Sequence, residues 1–176
     1  MNRLATDLPG VFILEPRVFE DARGHFFEAF NARTLAELGI DRPFVQDNES
    51  RSRRGVLRGL HYQLGRPQAK LVRAVRGEVF DVAVDLRRGS PTFGRWTGAL
   101  LSEHNLRQVF VPEGFAHGFY VLSETAVVLY KCSDFYAPAE ERGVAWNDPR
   151  LAIAWPIPPG TLPLVSPRDA AVPTLD

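Results

Sequence analysis

The chain has 176 residues, a length at which one domain of ordinary size can bury a hydrophobic core. It carries 21 basic and 21 acidic residues, and this zero net charge at pH 7 argues against a nucleic-acid-binding protein or one held on an anionic membrane. Its hydrophobic content of 45% is typical of a globular protein and too high for a disordered chain. We therefore expect a single folded domain over residues 1–176.

The first ten residues include Asp7, Pro9 and Gly10, which interrupt the apolar stretch that a signal peptide needs. The longest apolar runs, such as residues 126–130, have the length of a strand, whereas roughly 20 residues are needed to cross a bilayer. Cys132 is the only cysteine, which excludes an internal disulfide framework. These features predict a cytoplasmic protein with no membrane partner and no nucleic-acid partner.

Short runs rich in Val, Phe and Leu alternate with glycines and prolines, a pattern typical of many strands joined by tight turns. One helix is predicted over residues 32–38, with Asn31 as its N-terminal cap and Gly39 after its end. The absence of βαβ alternation excludes a Rossmann fold and favours a sandwich, barrel or jelly roll. Residues 155–176 are rich in proline and predict an extended segment wrapped over the domain. Strands are predicted over residues 11–14, 26–30, 56–63, 70–75, 79–86, 95–101, 107–111, 116–122 and 127–134.

The strand over residues 56–63, with the sequence VLRGLHYQ, contains the first candidate site residues. Alternation places His61 and Gln63 on one face, and Arg58 would lie on the opposite face of a regular strand. If Arg58 and His61 share a pocket, the strand must bulge, and Gly59 is where a bulge costs least. A lone histidine in a strand is by itself more often a packed or surface residue than a catalytic one.

Three further side chains could take part in chemistry. Lys70 is one of only two lysines among the 21 basic residues, and an ammonium that faces a pocket would stabilise a developing oxyanion. His117 lies beside Gly118, which leaves room for a ligand to approach closely. Tyr130 lies in a strand, and its hydroxyl could donate a proton inside a barrel.

A catalytic histidine needs an acidic partner that accepts a hydrogen bond from its ring. Asp169, in the proline-rich segment, is one candidate, and Asp81 and Asp85 are its rivals. The residues themselves leave this choice open.

A metal site is not predicted. Metal-binding barrels of the cupin type carry two histidines separated by one residue, and here the second of these positions is Gln63. His25 and His104 show no ligand spacing. Cys132 has no activating neighbour, so nucleophilic catalysis is not predicted either.

Five segments resemble, in order and spacing, the dTDP-4-dehydrorhamnose 3,5-epimerase family, and the resemblance runs from about residue 11 to the C-terminus. It implies an all-β fold of the cupin type, a double-stranded β-helix or jelly roll with one or two short helices. It also implies no metal and no other cofactor, and a homodimer in which N-terminal strands of one subunit join the sheet of the other. The segments are residues 44–48 (FVQDN), 56–63 (VLRGLHYQ), 77–85 (GEVFDVAVD), 112–119 (PEGFAHGF) and 169–173 (DAAVP).

The reaction that this resemblance implies is epimerisation at C3 and C5 of dTDP-4-keto-6-deoxy-D-glucose to dTDP-4-keto-L-rhamnose, in the biosynthesis of dTDP-L-rhamnose or a related deoxysugar. His61 matches the base, Asp169 the carboxylate that orients it, and Tyr130 the acid. Lys70, with Arg58 nearby, matches the cation that stabilises the enolate. The substrate-binding positions that match are Arg23, Phe26, Glu28, Gln46, Asp47, Asn48, Arg58, Lys70, His117, Glu141 and Arg168.

Two departures from the family pattern concern substrate contacts. Arg168 stands where lysine is more frequent, and His25 stands where an aromatic or apolar residue is more usual. Relatives that invert only C3 or only C5, or that move the ketone from C4 to C3, are alternatives, as is a barrel that binds a sugar nucleotide without catalysis. The presence of the proposed base, acid and cation favours epimerisation, and the sequence leaves double and single inversion open.

Overall fold

The computed structural model describes residues 1–175, and most of its elements are antiparallel strands. In chain order they are β1 (Asn2–Ala5), β2 (Phe12–Glu15), β3 (Val18–Asp21), β4 (Gly24–Phe27), α1 (Ala32–Glu37), β5 (Gln46–Arg53), β6 (Leu57–Gln63), β7 (Lys70–Arg76), β8 (Glu78–Asp85), β9 (Trp96–Ser102), β10 (Gln108–Val111), β11 (Phe115–Val121), β12 (Thr125–Cys132), a 3₁₀ turn (Pro138–Glu140), β13 (Glu141–Gly143) and α2 (Pro167–Ala170).

Two sheets pack face to face. A six-stranded sheet has the order β1-β2-β10-β7-β12-β5, a five-stranded sheet has the order β13-β6-β11-β8-β9, and β3 and β4 form a separate hairpin. Alternate residues of both sheets meet in the main core, among them Val72 and Val128 from the first sheet and Val79 and Phe119 from the second. The predicted all-β jelly roll with two short helices is confirmed.

The apolar strands were predictable from their runs of Val, Phe and Leu, and the helix from its N-terminal cap. Asn31 caps α1, and its side chain accepts hydrogen bonds from the backbone N–H groups of Arg33 and Thr34 at 3.0 and 3.3 Å. The strands β1, β3, β5 and β13 were not predicted. The sequence of β5, QDNESRSR, is polar throughout, yet all eight residues pair with β12. Sheet pairing and the polar lining it provides outweigh the low strand propensity of these residues.

Strand β6 contains the predicted bulge. His61 pairs with His117 and Arg58 pairs with Phe119, so three steps along β6 match two steps along β11. Gly59 lies within the bulge at φ +122°, a conformation that favours glycine. A Cβ atom at this position would lie 2.6 Å from the Cα atom of Gly118. The bulge brings Arg58 and His61 to the same side of the sheet.

The C-terminal segment is extended and wraps over the five-stranded sheet, as predicted. The Leu164 N–H donates to the carbonyl of Gly55 at 2.7 Å, and the Leu57 N–H donates to the carbonyl of Leu164 at 2.9 Å. Helix α2 then begins after Ser166, whose hydroxyl accepts a hydrogen bond from the Asp169 N–H at 3.0 Å. Among residues 1–175, no helix is long and apolar enough to cross a bilayer.

We expect Gly59→Ala to destabilise the protein more than Gly24→Ala. Both glycines have nearly the same φ, +122° and +123°, but a Cβ atom at Gly24 meets nothing within 4 Å. The two variants therefore share the backbone strain, and only Gly59→Ala adds a clash, which costs about 1–3 kcal/mol. Equilibrium unfolding in denaturant measures the difference, and equal losses would contradict the close approach of β6 and β11.

Candidate active site

A cavity of about 660 Å³ opens between the two sheets, beyond the apolar core. This volume suits a ligand of the size that single binding sites hold. Its walls come from β5, β7 and β12 on one side, from β6 and β11 on the other, and from the C-terminal segment. The predicted site residues that line it are Gln46, Asn48, Arg58, His61, Lys70, His117, Tyr130, Glu141, Arg168 and Asp169.

His61 pairs with Asp169, and this contact decides between the three candidate aspartates. The distance between His61 Nε2 and Asp169 Oδ1 is 2.8 Å, and the second carboxylate oxygen accepts a hydrogen bond from the Gly59 N–H at 3.3 Å. Burial would raise the pKa of Asp169, but the hydrogen bonds from His61 and Gly59 outweigh it and lower this pKa. Asp169 is therefore a carboxylate that holds one nitrogen of the His61 ring.

A second histidine–aspartate pair lies next to the first one. His117 Nε2 is 2.8 Å from Asp81 Oδ2, and both side chains are almost fully buried. Because β11 pairs with β6, the two histidines are direct partners across the strands. The third aspartate, Asp85, has a different role, since it accepts hydrogen bonds from Arg87, Ser90 and Thr92 in the loop that follows β8.

The opposite wall carries Lys70 and Tyr130. Lys70 begins β7 and pairs with Cys132 of β12, two residues after Tyr130. Burial lowers the pKa of the Lys70 ammonium, and Cys132, Asp81 and Glu141 partly oppose this shift. Burial also raises the pKa of the Tyr130 hydroxyl, an effect that Arg58 partly offsets. The wall therefore presents the Tyr130 phenol and the Lys70 amine to the same cavity.

Alternate residues of β5 extend this wall with polar groups. The Gln46 amide donates to Asn48 Oδ1 at 2.9 Å, and the Asn48 amide donates to Cys132 Sγ at 3.5 Å. Ser52 Oγ accepts a hydrogen bond from Arg58 Nε at 3.0 Å, which links the two sheets. Between them lies Ser50, whose hydroxyl is buried and has no hydrogen-bond partner among residues 1–175.

Tyr136 lies at the cavity mouth and was not predicted. Its hydroxyl donates to Glu141 Oε2, and its backbone N–H donates to Gln46 Oε1 at 2.8 Å. Glu141 also pairs with Arg168, at 2.6 Å between Oε2 and the guanidinium. An exposed aromatic residue in a loop has no periodic pattern, so the sequence offered no signal for Tyr136.

Four predicted substrate-binding residues lie outside this cavity. Asp47 is on the outer face of β5, because alternation turns it away from Gln46 and Asn48, and it accepts a hydrogen bond from Lys131 at 2.8 Å. The other three lie on or beside the β3–β4 hairpin, away from the cavity of their own chain. They are Arg23, Phe26 and Glu28.

No group of three or more His, Cys, Asp or Glu side chains among residues 1–175 is arranged to hold a metal ion. Of the histidines, His61 and His117 line the cavity, and each pairs with an aspartate.

Comparison with known proteins gives the family. A family model described as dTDP-4-dehydrorhamnose 3,5-epimerase matches residues 5–176. The chain belongs to the dTDP-4-dehydrorhamnose 3,5-epimerase family. The Pseudomonas aeruginosa dTDP-4-dehydrorhamnose 3,5-epimerase is 61% identical over 169 residues, which cover 96% of this chain and 91% of the relative. The protein is thus an epimerase, a type of isomerase, as predicted.

Two solved structures show the range of relatives. The Legionella pneumophila epimerase in complex with dTDP-4-keto-L-rhamnose matches with a TM-score of 0.95 and 53% identity, covering 98% of this chain and 92% of that one. A 3'-monoepimerase from Streptomyces bikiniensis in complex with dTDP-quinovose matches with a TM-score of 0.88 and 40% identity, covering 96% and 85%. Both share the cupin-type jelly roll with this chain.

We expect Lys70→Met to stabilise the protein at neutral pH. Because the pKa of Lys70 is lower in the folded than in the unfolded chain, the folded state binds fewer protons, and stability rises with pH towards the unfolded pKa of about 10.4. Removing the ammonium removes this penalty, so the gain of the variant over the wild type shrinks as pH rises towards about 10.

Denaturant unfolding near neutral pH and near pH 10 measures this difference. Lys131→Met is the matched control, since Lys131 lies on the outer face of β12 beside Asp47 and should give no such gain. A Lys70→Met variant that is no more stable than the wild type at neutral pH would show that burial of this ammonium carries no cost.

Proposed function

We propose that the protein inverts C3 and C5 of dTDP-4-keto-6-deoxy-D-glucose to give dTDP-4-keto-L-rhamnose, a step of dTDP-L-rhamnose biosynthesis or that of a related deoxysugar. The observation that carries the proposal is the placement of the His61–Asp169 pair and Tyr130 on facing walls of one cavity. Inversion at a carbon needs a proton removed from one face and another returned to the opposite face. Facing walls suit that requirement.

Both reacting carbons neighbour the C4 ketone, so loss of either proton places negative charge on the same oxygen. One cationic site can therefore serve both steps, and Lys70 with Arg58 has that role in our account. Burial of the Lys70 amine in the cavity wall strengthens this attraction compared with water. The lowered pKa of Lys70 is the cost of holding a cation ready for this charge.

His61 is the base in this scheme. Its ring takes the proton from the sugar carbon, and the Asp169 carboxylate stabilises the imidazolium that results. Tyr130 is the acid, because its hydroxyl lies on the wall that faces His61, and burial, which raises its pKa, keeps that hydroxyl protonated near neutral pH. The proton lost to His61 and the proton given by Tyr130 balance, and solvent restores both groups.

The nucleotide part of the substrate occupies the mouth of the cavity in our account. The amides of Gln46 and Asn48 and the carboxylate of Glu141 offer hydrogen bonds to a base. Arg168 is more than half exposed and pairs with Glu141, so its guanidinium can turn to the diphosphate, whose oxygens it can bind two at a time. This assigns a role to the arginine that replaces the more frequent lysine.

Single inversion is the second candidate, favoured by the similarity to the 3'-monoepimerase. The same base and acid would serve it, and the two reactions differ in whether the sugar ring turns over after the first inversion. The higher identity to a double epimerase, 61% against 40%, favours two inversions. The free thiol of Cys132 is compatible with a reaction in the reducing cytoplasm, where we place it.

A homodimer completes the site in this account. The β3–β4 hairpin pairs with no other strand of its own chain, and one edge of β5 lacks a partner strand among residues 1–175. The Phe26 side chain on this hairpin is 70% exposed, and the Arg23 guanidinium pairs with Asp21 at the surface. Addition of the hairpin to β5 of a second subunit would bring Arg23, Phe26 and Glu28 to the partner's Gln46 and Asn48.

The function is tested by the product and by two variants. Incubation with dTDP-4-keto-6-deoxyglucose should give a product inverted at both carbons by NMR. His61→Ala and Tyr130→Phe should each lower kcat by about 10²–10⁴-fold while binding of dTDP persists, because each removes one proton-transfer group. Wild-type turnover in either variant would remove that residue from the mechanism, and inversion at one carbon alone would establish the monoepimerase.

The dimer is tested by complementation between inactive chains. His61→Ala and the double variant Arg23→Ala/Phe26→Ala are co-expressed with different tags, and the mixed dimer is isolated. If the hairpin acts in the partner's cavity, one cavity of the mixed dimer has an intact His61 and an intact hairpin, so activity exceeds that of either variant alone. Without such recovery, the hairpin does not contribute to the partner's site.

A further inference from the structure

Asp148 is a buried carboxylate outside the cavity that joins two distant parts of the chain. Its side chain is 2% exposed. One oxygen accepts hydrogen bonds from the N–H groups of Arg150 and Leu151, at 2.7 and 3.0 Å, and so closes a local turn. The other oxygen accepts a hydrogen bond from the N–H of Leu175 at 2.6 Å. The carboxylate therefore holds the far end of the C-terminal segment.

This segment is attached at both ends, and Asp169 lies between the attachments. At the near end, Leu164 bonds to Gly55 and Leu57. At the far end, the carbonyl of Pro173 accepts a hydrogen bond from the Ala145 N–H at 2.8 Å, and Leu175 bonds to Asp148. Helix α2, which carries Asp169, has only four residues, and a helix this short is not stable by itself.

We propose that Asp148 is a positioning residue for the reaction: it fixes the end of the C-terminal segment and thereby holds Asp169 against His61. The inference rests on the proposed roles of His61 and Asp169. The Asp169 carboxylate is held by the His61 ring and the Gly59 N–H, at 2.8 and 3.3 Å. Small displacements of a group that orients a base reduce catalysis. Without the Asp148–Leu175 bond, the Pro173–Ala145 bond is the one remaining of these two far-end attachments, and the weaker hold lets Asp169 move away from the ring.

The charge of Asp148 supports this role. Burial would raise its pKa, but the N–H groups of Leu175, Leu151 and Arg150 outweigh burial and lower it. Backbone N–H groups bind a carboxylate more strongly than a neutral oxygen. The hydrogen bond from the Leu175 N–H is therefore a strong attachment. An asparagine at position 148 has only one oxygen and cannot accept hydrogen bonds on both sides, as the carboxylate does.

Two substitutions break the attachment from opposite sides. Asp148→Asn places an NH₂ group where Oδ2 accepts the hydrogen bond from Leu175. Leu175→Pro removes the N–H that donates this bond and leaves Asp148 unchanged. We expect each to lower kcat on the order of 10-fold, below the loss of about 100-fold that a misplacement of 1 Å can cause. The KM should change little, because neither residue lines the cavity.

Two matched controls separate positioning from general loss of stability. Leu175→Ala shortens the same side chain, which packs on the outer core cluster, but keeps the N–H group, so kcat should stay near the wild-type value. Asp85→Asn perturbs another fully buried aspartate, whose partners lie in the loop after β8. It should lower the Tm without lowering kcat of the folded enzyme.

A double-mutant cycle tests whether Asp148 acts through Asp169. In the Asp169→Asn background, Asp148→Asn should cause no further loss of kcat, because the residue that it positions no longer functions. Multiplicative losses would show that Asp148 acts independently and would overturn the inference, as would wild-type kcat in both Asp148→Asn and Leu175→Pro. If Asp169→Asn alone leaves kcat unchanged, the proposed role of Asp169 fails, and this inference fails with it. If Asp148→Asn does not fold, the Leu175→Pro and Leu175→Ala pair decides the question.

Discussion

The hydrogen bond between His61 and Asp169 is the contact on which the site depends, since it joins residues 108 positions apart in the chain. It forms because two unrelated features of the sequence meet. Gly59 lets β6 bulge, which brings Arg58 and His61 to the same side of the sheet, and the C-terminal segment crosses the sheet to deliver Asp169. Without the C-terminal segment, no carboxylate would orient the His61 ring. Without the bulge, Arg58 would lie on the face of the sheet opposite to His61.

The apolar core and the polar cavity lie in different parts of the sandwich. One end is filled by apolar side chains from both sheets, and their burial stabilises the fold. The other end is lined by charged and polar groups that cost free energy to bury, among them Lys70 and the His117–Asp81 pair. The pairing of each histidine with its own aspartate reduces this cost. A cavity of this kind is stable because the apolar end compensates for the polar one.

The elements that sequence reasoning found are the short runs rich in Val, Phe and Leu between glycines and prolines, together with the capped helix α1. Strand β5 was missed, because a polar strand forms only when a partner such as β12 offers its backbone, and long-range pairing leaves no local signal. The choice of Asp169 rather than Asp81 for His61 also depends on tertiary structure. The bulge at Gly59 could be anticipated, because Arg58 and His61 can share a pocket only if the strand between them bulges, and a glycine lies between them. Tyr136 and Asp148 carried no such signal.

The central claim is that His61 and Tyr130 act from opposite walls of the cavity. Exchange of the substrate protons with solvent deuterium, followed by NMR in D₂O, tests this claim most directly, because removal of the base and removal of the acid should have different effects. In the wild type, deuterium should enter at C3 and C5 with inversion. In Tyr130→Phe, His61 still removes the proton and returns a deuteron to the same face, so exchange should occur with retention. In His61→Ala, exchange should fall by about 10²–10⁴-fold, as kcat does. Exchange at the wild-type rate in His61→Ala, or normal inversion in Tyr130→Phe, would contradict the assignment of base and acid to the two walls.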